Sequence, residues 1–263
     1  MLSENHVHGA SDLLFHHWQD GRRMTALPQR MRPSTRAEGY AIQALLEHRT
    51  DEPLFGWKIA ATSLAGQAHI GVDGPMAGRL LREKAFGDGA HLSLAGNAMR
   101  VAEPEFAFRM ARDLVPRSTA YGVDEVLDAV ETLHPAIEVP DSRFDDFVHA
   151  GEAQLLADNA CAHLFVLGHA AGVPWRSLDL AHYPVEATVN GGTPRTGSGE
   201  NVLGDPRVAL AWLANELSAL GIVLKAGQVV TTGTCMTPIP LAPGDEVEAD
   251  FGTLGRVTVR FTE

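Results

Sequence analysis

Cysteine is scarce in this chain of 263 residues, which contains only Cys161 and Cys235. Two thiols are too few for a disulfide framework and too isolated for a structural zinc site. No stretch approaches the roughly 20 apolar residues that a membrane-spanning helix needs. The first residues also lack the basic start and the apolar run of a secretory signal. These absences predict a soluble, cytoplasmic protein with reduced thiols and no membrane partner.

Positive charge is also in short supply, because 21 Lys and Arg residues face 33 Asp and Glu residues, for a formal net charge of -12. The resulting negative field raises the cost of approaching nucleic acid, so we expect no nucleic-acid partner. A small anionic substrate would be repelled as well, unless its site holds local positive charge or a metal ion.

The chain divides into two regions by pattern. Apolar residues recur at helical spacing between residues 10 and 50, around a proline-containing break at 28–33. Residues 1–52 are therefore predicted to form an N-terminal helical region, and residues 53–263 a domain with short β segments between Gly-rich turns. We expect strands at 56–59, 69–72, 99–110 and 137–139, and helices at 124–133 and 150–172.

The last third of the chain carries stronger local signals. Asn190 followed by Gly191 predicts a hairpin turn after a strand. Asp205 and Pro206 are typical of a helix start, and Gly221 of a helix end. Strands are expected at 229–232, 246–251 and 256–261. Strands grouped beside a few helices, without regular βαβ alternation, indicate an α+β fold.

Residues 100–110 combine an apolar face with two acids. Every even-numbered residue from Ala102 to Met110 is apolar, whereas Glu103 and Glu105 share the opposite face. Residues on one face of a strand lie only ~7 Å apart, so both carboxylates can converge on one cation or else repel each other. Pro104 cannot donate a ladder hydrogen bond, which indicates an edge strand or a bulge beside a cleft.

A third acid has a similar setting, because Glu138 lies between Ile137 and Val139 in another predicted strand. Three glutamates could then line one cavity. Ligation by oxygen alone, completed by water, suits Mg²⁺ or Mn²⁺. The alternative is that these glutamates are ordinary surface charges on half-buried strands.

Other candidate site residues lie on short strands and turns. Lys58, beside Trp57, could meet a substrate carboxylate or transfer a proton, although a solvated lysine is the alternative. Asp73 follows a predicted strand, where site residues often lie, but it could also be a turn aspartate.

The segment 231–238 concentrates hydroxyl groups, a glycine and a thiol. Backbone N–H groups in such a turn can bind a carboxylate oxygen, so Thr232, Gly233 and Thr234 are candidate substrate-binding residues. Cys235 is a weak candidate nucleophile, since no activating partner is evident.

The order of the segments GWKI, GVD, EPEFAF, AIEV, LADNA, VLGDP, AWLAN and TTG resembles the 2-keto-4-pentenoate hydratase and 4-oxalocrotonate decarboxylase branch of the fumarylacetoacetate hydrolase superfamily. The resemblance runs from about residue 32 to the end. It implies a mixed β-roll core preceded by helices, Mg²⁺ or Mn²⁺ held by Glu103, Glu105 and Glu138, and a homo-oligomer. It also places Lys58 and Asp73 in the active site.

The activity implied by the resemblance is that of a metal-dependent hydro-lyase acting on a small 2-oxo or enol acid. Water would add to a 2-hydroxy-2,4-dienoate and give a 4-hydroxy-2-oxo acid. Three alternatives remain: decarboxylation of a 2-oxo-3-enedioate, hydrolytic carbon–carbon cleavage of an acylpyruvate with a base such as His91, and binding of metal and oxo acid without turnover. Departures from the branch occur at Ala60, at residues 161–163 and at residues 233–237.

Overall fold

The computed structural model describes residues 2–263, which form six α-helices and thirteen β-strands. The helices are α1 (Glu4–Asp20), α2 (Arg36–Ala44), α3 (Leu64–Ile70), α4 (Val123–Leu127), α5 (Glu152–Ala157) and α6 (Pro206–Ala219). The strands are β1 (Gly56–Ala60), β2 (Met76–Leu80), β3 (Ala85–Gly87), β4 (Ala90–Ser93), β5 (Val101–Met110), β6 (Val130–Val139), β7 (Leu164–Leu167), β8 (Pro184–Val189), β9 (Arg195–Ser198), β10 (Val229–Thr234), β11 (Ile239–Pro240), β12 (Glu246–Asp250) and β13 (Arg256–Thr262).

The strands form two mixed sheets, in agreement with the predicted α+β class. The larger has the order β2-β1-β10-β5-β6-β7-β3, with β11 paired to β5, and the smaller has the order β4-β13-β12-β8-β9. In the larger sheet β1 runs parallel to β10, while β5 is antiparallel to both β10 and β6. The two longest strands, β5 and β6, therefore lie in the middle of this sheet.

The N-terminal helices share the hydrophobic core of the strands. Leu14 of α1 and Tyr40 of α2 belong to the same cluster of buried residues as Phe106 and Phe108 of β5. The amide of Gln43, also in α2, donates to the carbonyl oxygens of Ala77 and Leu156, both at 2.9 Å. Helix α2 is thus tied to β2 and α5. None of the helices in residues 2–263 has the length and apolar character needed to cross a membrane.

Two local predictions are confirmed in detail. Asn190 and Gly191 have φ of 53° and 66°, and the N–H of Gly192 donates to the carbonyl of Val189, as a turn between β8 and β9 requires. At the start of α6 the Asp205 side chain accepts from the N–H of Arg207, with Pro206 in the first turn.

Three other predictions are wrong in type or in extent. Residues 69–72 were expected to be a strand, but residues up to Ile70 belong to α3, which is capped by Ser63 and ended by Gly71 at φ 64°. The helix expected at 150–172 stops at Ala157, and β7 lies within its second half. An apolar run such as 164–167 fits a buried strand as well as a helix, so the pattern alone could not separate them. The helix at 124–133 is likewise shorter than expected, because β6 begins at Val130.

Candidate metal centre and active site

The structure brings the three predicted glutamates together. Glu103 and Glu105 project from one face of β5, and Glu103 is in register with Glu138 on β6. Carboxylate oxygens from all three residues lie within 4.8 Å of one another. Alternation explains this arrangement, because Phe106 and Phe108 are fully buried in the core and turn the odd-numbered residues to the other side. We call Glu103, Glu105, Glu138 and the adjacent Lys58 the glutamate cluster.

A bulge in β10 supports Glu105. The register between β10 and β5 shifts between Thr231 and Thr234, and Gly233 has φ 105°. Its N–H donates to Glu105 Oε2 at 2.7 Å, and the Thr231 hydroxyl donates to the same oxygen. A Cβ at position 233 would lie 2.0 Å from Thr62 Oγ1, so glycine is required there. The bulge thus directs two donors at one carboxylate oxygen.

Pro104 indicated an edge strand or a bulge. The edge interpretation is wrong, because β5 is paired on both sides. The bulge lies in the neighbouring β10, where the N–H of Cys235 donates to the carbonyl of Pro104 at 2.9 Å.

Lys58 supplies positive charge to the cluster from β1. Its Nζ lies 3.1 Å from Glu138 Oε1 and donates to the carbonyl of Ala160, also at 3.1 Å. Burial by itself would lower the pKa of Lys58, but the charges of Glu138, Glu103 and Glu105 outweigh burial and raise the pKa above its usual value. Lys58 is therefore an ammonium rather than a base in the metal-free protein.

The carboxylates are insufficiently neutralised by this one lysine. Burial, and next the charge of Glu138, raises the pKa of Glu103 to about 7. Burial is also the main cause that raises the pKa of Glu105 and of Glu138. Oxygens Glu105 Oε1 and Glu138 Oε2 are buried and accept no hydrogen bond from any residue in 2–263. Buried polar atoms are rarely left in this state, so these two oxygens indicate a missing ligand.

The donor set fits a divalent cation. Three carboxylates and no sulfur or imidazole ligand form the cluster in the described part of the chain. Mg²⁺ and Mn²⁺ prefer oxygen ligands and retain waters that a substrate can displace.

An unusual turn holds the carbonyl that binds Lys58. Asn159, Ala160 and Cys161 have φ of 56°, 50° and 60°, a left-handed backbone that costs free energy in residues with a Cβ. The Asn159 side chain anchors the turn to β2: its Oδ1 accepts from the N–H of Arg79 at 2.6 Å, and its Nδ2 donates to the Arg79 carbonyl at 2.8 Å.

A cavity of about 690 Å³ opens from the glutamate cluster. Lys58 and Glu103 line its inner end, and Gly233 and Thr234 lie along one wall. Thr232 has another role, since its buried hydroxyl donates to the Phe106 carbonyl at 3.0 Å. Among the described residues, the cavity wall includes several that sequence analysis did not single out: Thr62, Ser63, His69, Met99, Phe147, Thr196 and Asn201.

Three further candidates lie elsewhere or are inert. Asp73 is exposed on the turn after α3 and is not part of the cavity wall. His91 is exposed on β4, in the smaller sheet. Burial raises the pKa of the Cys235 thiol well above its usual value. Burial, and next the charge of Asp158, raises the pKa of the Cys161 thiol to about 12. Both cysteines are therefore protonated thiols at neutral pH.

Comparison with known proteins identifies the family of this chain. The family model described as "Fumarylacetoacetate (FAA) hydrolase C-terminal" matches residues 75–262. The 2-hydroxyhexa-2,4-dienoate hydratase of Comamonas testosteroni is 36% identical over 220 residues, 83% of this chain and 82% of that protein. The 2-keto-4-pentenoate hydratase of Paraburkholderia xenovorans is 31% identical over 255 residues, 96% of this chain and 93% of that protein.

The fold has a solved counterpart. The structure of 4-oxalocrotonate decarboxylase from Pseudomonas putida G7, complexed with magnesium and adipate, superposes with a TM-score of 0.90 at 26% identity and covers 99% of both chains. A second structure of the same enzyme is complexed with calcium and acetate. With a family model over most of its length and relatives above 30% identity that cover most of it, the chain belongs to the fumarylacetoacetate hydrolase family.

Proposed function

We propose that this protein is a divalent-metal-dependent hydratase of 2-hydroxy-2,4-dienoates. The observation that carries the proposal is the group of three carboxylates beside a cavity, of which Glu105 and Glu138 are fully buried and each have one oxygen without a donor. Two relatives at 31–36% identity over most of the chain are hydratases of such acids. In this proposal Glu103, Glu105 and Glu138 hold Mg²⁺ or Mn²⁺, which would supply a Lewis acid for the carboxylate and 2-oxygen of the substrate.

The reaction needs two proton movements and one water. The enol proton leaves the 2-oxygen and a proton is added at C5, which gives a 2-oxo-3-enoate. The oxygen of water then bonds to C4 while water gives up one proton, and a proton is added at C3, so that the C3–C4 double bond becomes a single bond. The product is a 4-hydroxy-2-oxo acid, which contains the substrate plus one water.

We assign to Lys58 the transfer of the proton that is added at C5, which makes the conjugated ketone. Its ammonium faces the cavity and carries a proton at neutral pH, whereas Asp73 lies on an exposed turn away from the cavity wall. The carbonyl of Ala160 and Glu138 Oε1 fix the position of Nζ. On the wall of the same cavity, Thr234 is the candidate for orienting substrate oxygens, whereas the N–H of Gly233 is already bound to Glu105 Oε2.

Decarboxylation of a 2-oxo-3-enedioate is the second candidate. Its support is the 4-oxalocrotonate decarboxylase structure, which matches this fold over 99% of both chains. Carbon–carbon hydrolysis of an acylpyruvate has less support, because His91, the base considered for it, lies on the smaller sheet.

A product assay separates these activities. Purified protein with Mg²⁺ or Mn²⁺ is incubated with 2-hydroxypenta-2,4-dienoate and, separately, with 2-oxohex-3-enedioate. Hydration is expected for the first acid, detected as loss of diene absorbance with formation of 4-hydroxy-2-oxopentanoate. Release of carbon dioxide from the second acid alone would instead favour the decarboxylase. Saturable binding without any product would identify a non-catalytic binder.

On the basis of the family resemblance, we also propose that the protein forms a homo-oligomer and is located in the cytoplasm. Light scattering coupled to size-exclusion chromatography tests the first, since a monomer of 28.2 kDa in solution would contradict it.

A further inference from the structure

The lining of the cavity changes from charged to apolar two residues along the chain from Glu103, Lys58 and Glu138. On β5, Val101 lies one same-face step of ~7 Å from Glu103. On β1, Ala60 lies the same distance beyond Lys58, and Pro140 follows Glu138 after β6. Because β1 and β6 both run opposite to β5, the three steps lead in the same direction. Val101 and Pro140 therefore lie side by side beyond Glu103 and Glu138, whereas Ala60 lies beyond Lys58, near the level of Glu105. All three line the cavity, and we call them the apolar layer.

Other residues that line the cavity are also apolar, namely Ile70 of α3, Met99, Phe147 and Met236, and they stand beside polar residues such as Thr196 and Thr237. We call the space that these apolar residues line, together with the apolar layer, the tail pocket.

Cationic groups are few along this wall. Among residues 2–263, Lys58 and the exposed His69 are the cationic or titratable nitrogen groups that line the cavity, and Lys58 already binds Glu138. Several neutral polar side chains are engaged as well: Ser63 caps α3, Asn201 donates to the Cys235 carbonyl, and Thr234 donates to the Met236 carbonyl.

The cavity exceeds the size of a five-carbon acid. 2-Hydroxypenta-2,4-dienoate has eight heavy atoms, which occupy roughly 240 Å³ if each takes up roughly the 30 Å³ of a water molecule in the liquid. The cavity measures about 690 Å³. Space remains for several more carbon atoms beyond C5.

We propose that the tail pocket selects 2-hydroxy-2,4-dienoates that carry an uncharged alkyl chain at C5, and disfavours those whose chain ends in a carboxylate. This inference rests on the proposed function. An alkyl chain gains free energy by leaving water in the tail pocket. A second carboxylate would lose its hydration there, and among the described residues that line the cavity only the exposed His69 could pair with it, since Lys58 is already bound to Glu138.

The first test is a substrate series. We compare kcat/KM for dienoates with hydrogen, methyl, ethyl or propyl at C5 and for an acid of matched length ending in carboxylate. Each added methylene is expected to raise kcat/KM roughly fourfold. The carboxylate-tailed acid is expected to fall at least tenfold below its alkyl counterpart. An equal or higher kcat/KM for the carboxylate-tailed acid overturns the proposal. If that higher value is lost in His69→Gln, His69 is identified as the partner of the tail carboxylate.

A binding series separates this inference from the proposed function. Saturated 2-oxo acids cannot be hydrated, so calorimetry with Mg²⁺ compares 2-oxooctanoate with 2-oxooctanedioate as probes. Tighter binding of the monoacid without turnover of any dienoate supports the tail pocket and contradicts the hydratase. Turnover of a dienoate combined with tighter binding of the diacid supports the hydratase and contradicts the tail pocket. If neither acid binds and no dienoate is turned over, both proposals are wrong.

One matched pair of variants tests the location of the pocket. Ile70→Arg places a cation on the cavity wall, and Leu64→Arg places the same charge on the same helix at a site that is 83% exposed and outside the wall. Ile70→Arg is expected to raise the carboxylate-to-alkyl ratio of kcat/KM at least tenfold, and Leu64→Arg to leave it unchanged. Equal shifts in both variants, or none in Ile70→Arg, would show that the tail does not lie against Ile70.

Discussion

Two buried groups of charges lie near each other in this protein, and they are compensated very differently. In the first, which we call the Arg143 cluster, Arg143 forms an ion pair with Asp158 and also donates to the carbonyls of Asp141, Ala162 and Asp158. Asp158 further accepts from the Ser142 hydroxyl at 2.7 Å. In the glutamate cluster, three carboxylates share one lysine, and Glu105 Oε1 and Glu138 Oε2 accept no hydrogen bond from the described residues.

The difference separates a structural role from a functional one. A fully hydrogen-bonded ion pair is costly to break, although it gives little net stability over apolar packing. Buried carboxylates without partners are costly as they stand, and such sites are typical of ligand binding. The turn 158–161 joins the two clusters, because Asp158 pairs with Arg143 while the carbonyl of Ala160 binds Lys58. The Arg143 cluster therefore fixes the backbone segment whose carbonyl binds Lys58 of the glutamate cluster.

The largest expected effect is on activity, in the glutamate cluster. Glu105→Gln keeps an oxygen that can accept from Thr231 and Gly233 but removes one negative charge. We expect kcat/KM to fall by roughly 1,000-fold and Mg²⁺ affinity to fall with it. The free energy of unfolding of the metal-free protein should stay equal or rise, because repulsion among like charges is relieved.

The matched control is Glu131→Gln, an exposed position on β6. It removes the same charge outside the cluster and should alter neither activity nor metal affinity. Unchanged Mg²⁺ affinity in Glu105→Gln would show that the cluster does not hold the ion.

The next effect is on stability, in the Arg143 cluster. Asp158→Asn leaves Arg143 buried without its counter-ion, so the free energy of unfolding should fall by about 3–5 kcal/mol in urea denaturation. Asp179→Asn, at the exposed pair with His182, should leave it unchanged.

If Asp158→Asn does not fold, the double variant Arg143→Met/Asp158→Asn gives the answer. Removal of both charges should recover part of the lost stability, since no unpaired ion remains. The pairing would be contradicted if the double variant lost as much free energy of unfolding as the two single variants lose together.

A smaller effect is expected on metal binding, where the affinity for Mg²⁺ should change about tenfold per pH unit. The pKa of Glu103 is raised to about 7 by burial and by Glu138, so below that pH a proton must leave before the ion binds. Mg²⁺ affinity should therefore rise as the pH rises through about 7, which calorimetry can follow. Glu103→Gln should make this dependence less steep, and an affinity independent of pH between 5 and 8 in the original protein would rule it out.

The same shift sets the sign of the pH dependence of stability. Between pH 4.5, the ordinary pKa of the carboxyl, and about 7, the folded metal-free protein keeps a proton that the unfolded chain has lost. The contribution of Glu103 to the free energy of unfolding is therefore fully present below pH 4.5 and is lost as the pH rises through about 7. Denaturation with a chelator present, compared between Glu103→Gln and the original protein, measures this loss.

Sequence patterns could indicate the glutamate cluster because its geometry follows from strand alternation. The apolar residues from Ala102 to Met110 force Glu103 and Glu105 to one face, whatever the neighbours are. The pairing of Glu103 with Glu138 is a matter of register between β5 and β6, which alternation does not determine. Alternation therefore supported a common face for Glu103 and Glu105, whereas the prediction of Glu138 as the third acid depended on the family resemblance, and the structure supplies the register that brings it to the other two.

The cavity wall was harder to foresee, since it comes from loops and from α3. Ser63 and Gly71 are ordinary start and stop signals for that helix, but the short apolar run 70–72 favoured a strand. The left-handed turn at 159–161 had no signal at all, because it contains no glycine. Its conformation depends on contacts with Arg79 and Lys58, which are distant in the chain.

The smallest effect concerns that turn, which links the two clusters. Ala157 and Ala160 are both buried, but Ala157 is helical while Ala160 has φ 50°. Substitution by glycine removes the same methyl group from each, so the difference between the two variants isolates the backbone. Ala157→Gly should lower the free energy of unfolding by about 1–2 kcal/mol more than Ala160→Gly, because glycine is disfavoured in a helix and relieves a left-handed residue. Equal losses in urea denaturation would mean that the turn stores no strain, and that the Ala160 carbonyl faces Lys58 at no backbone cost.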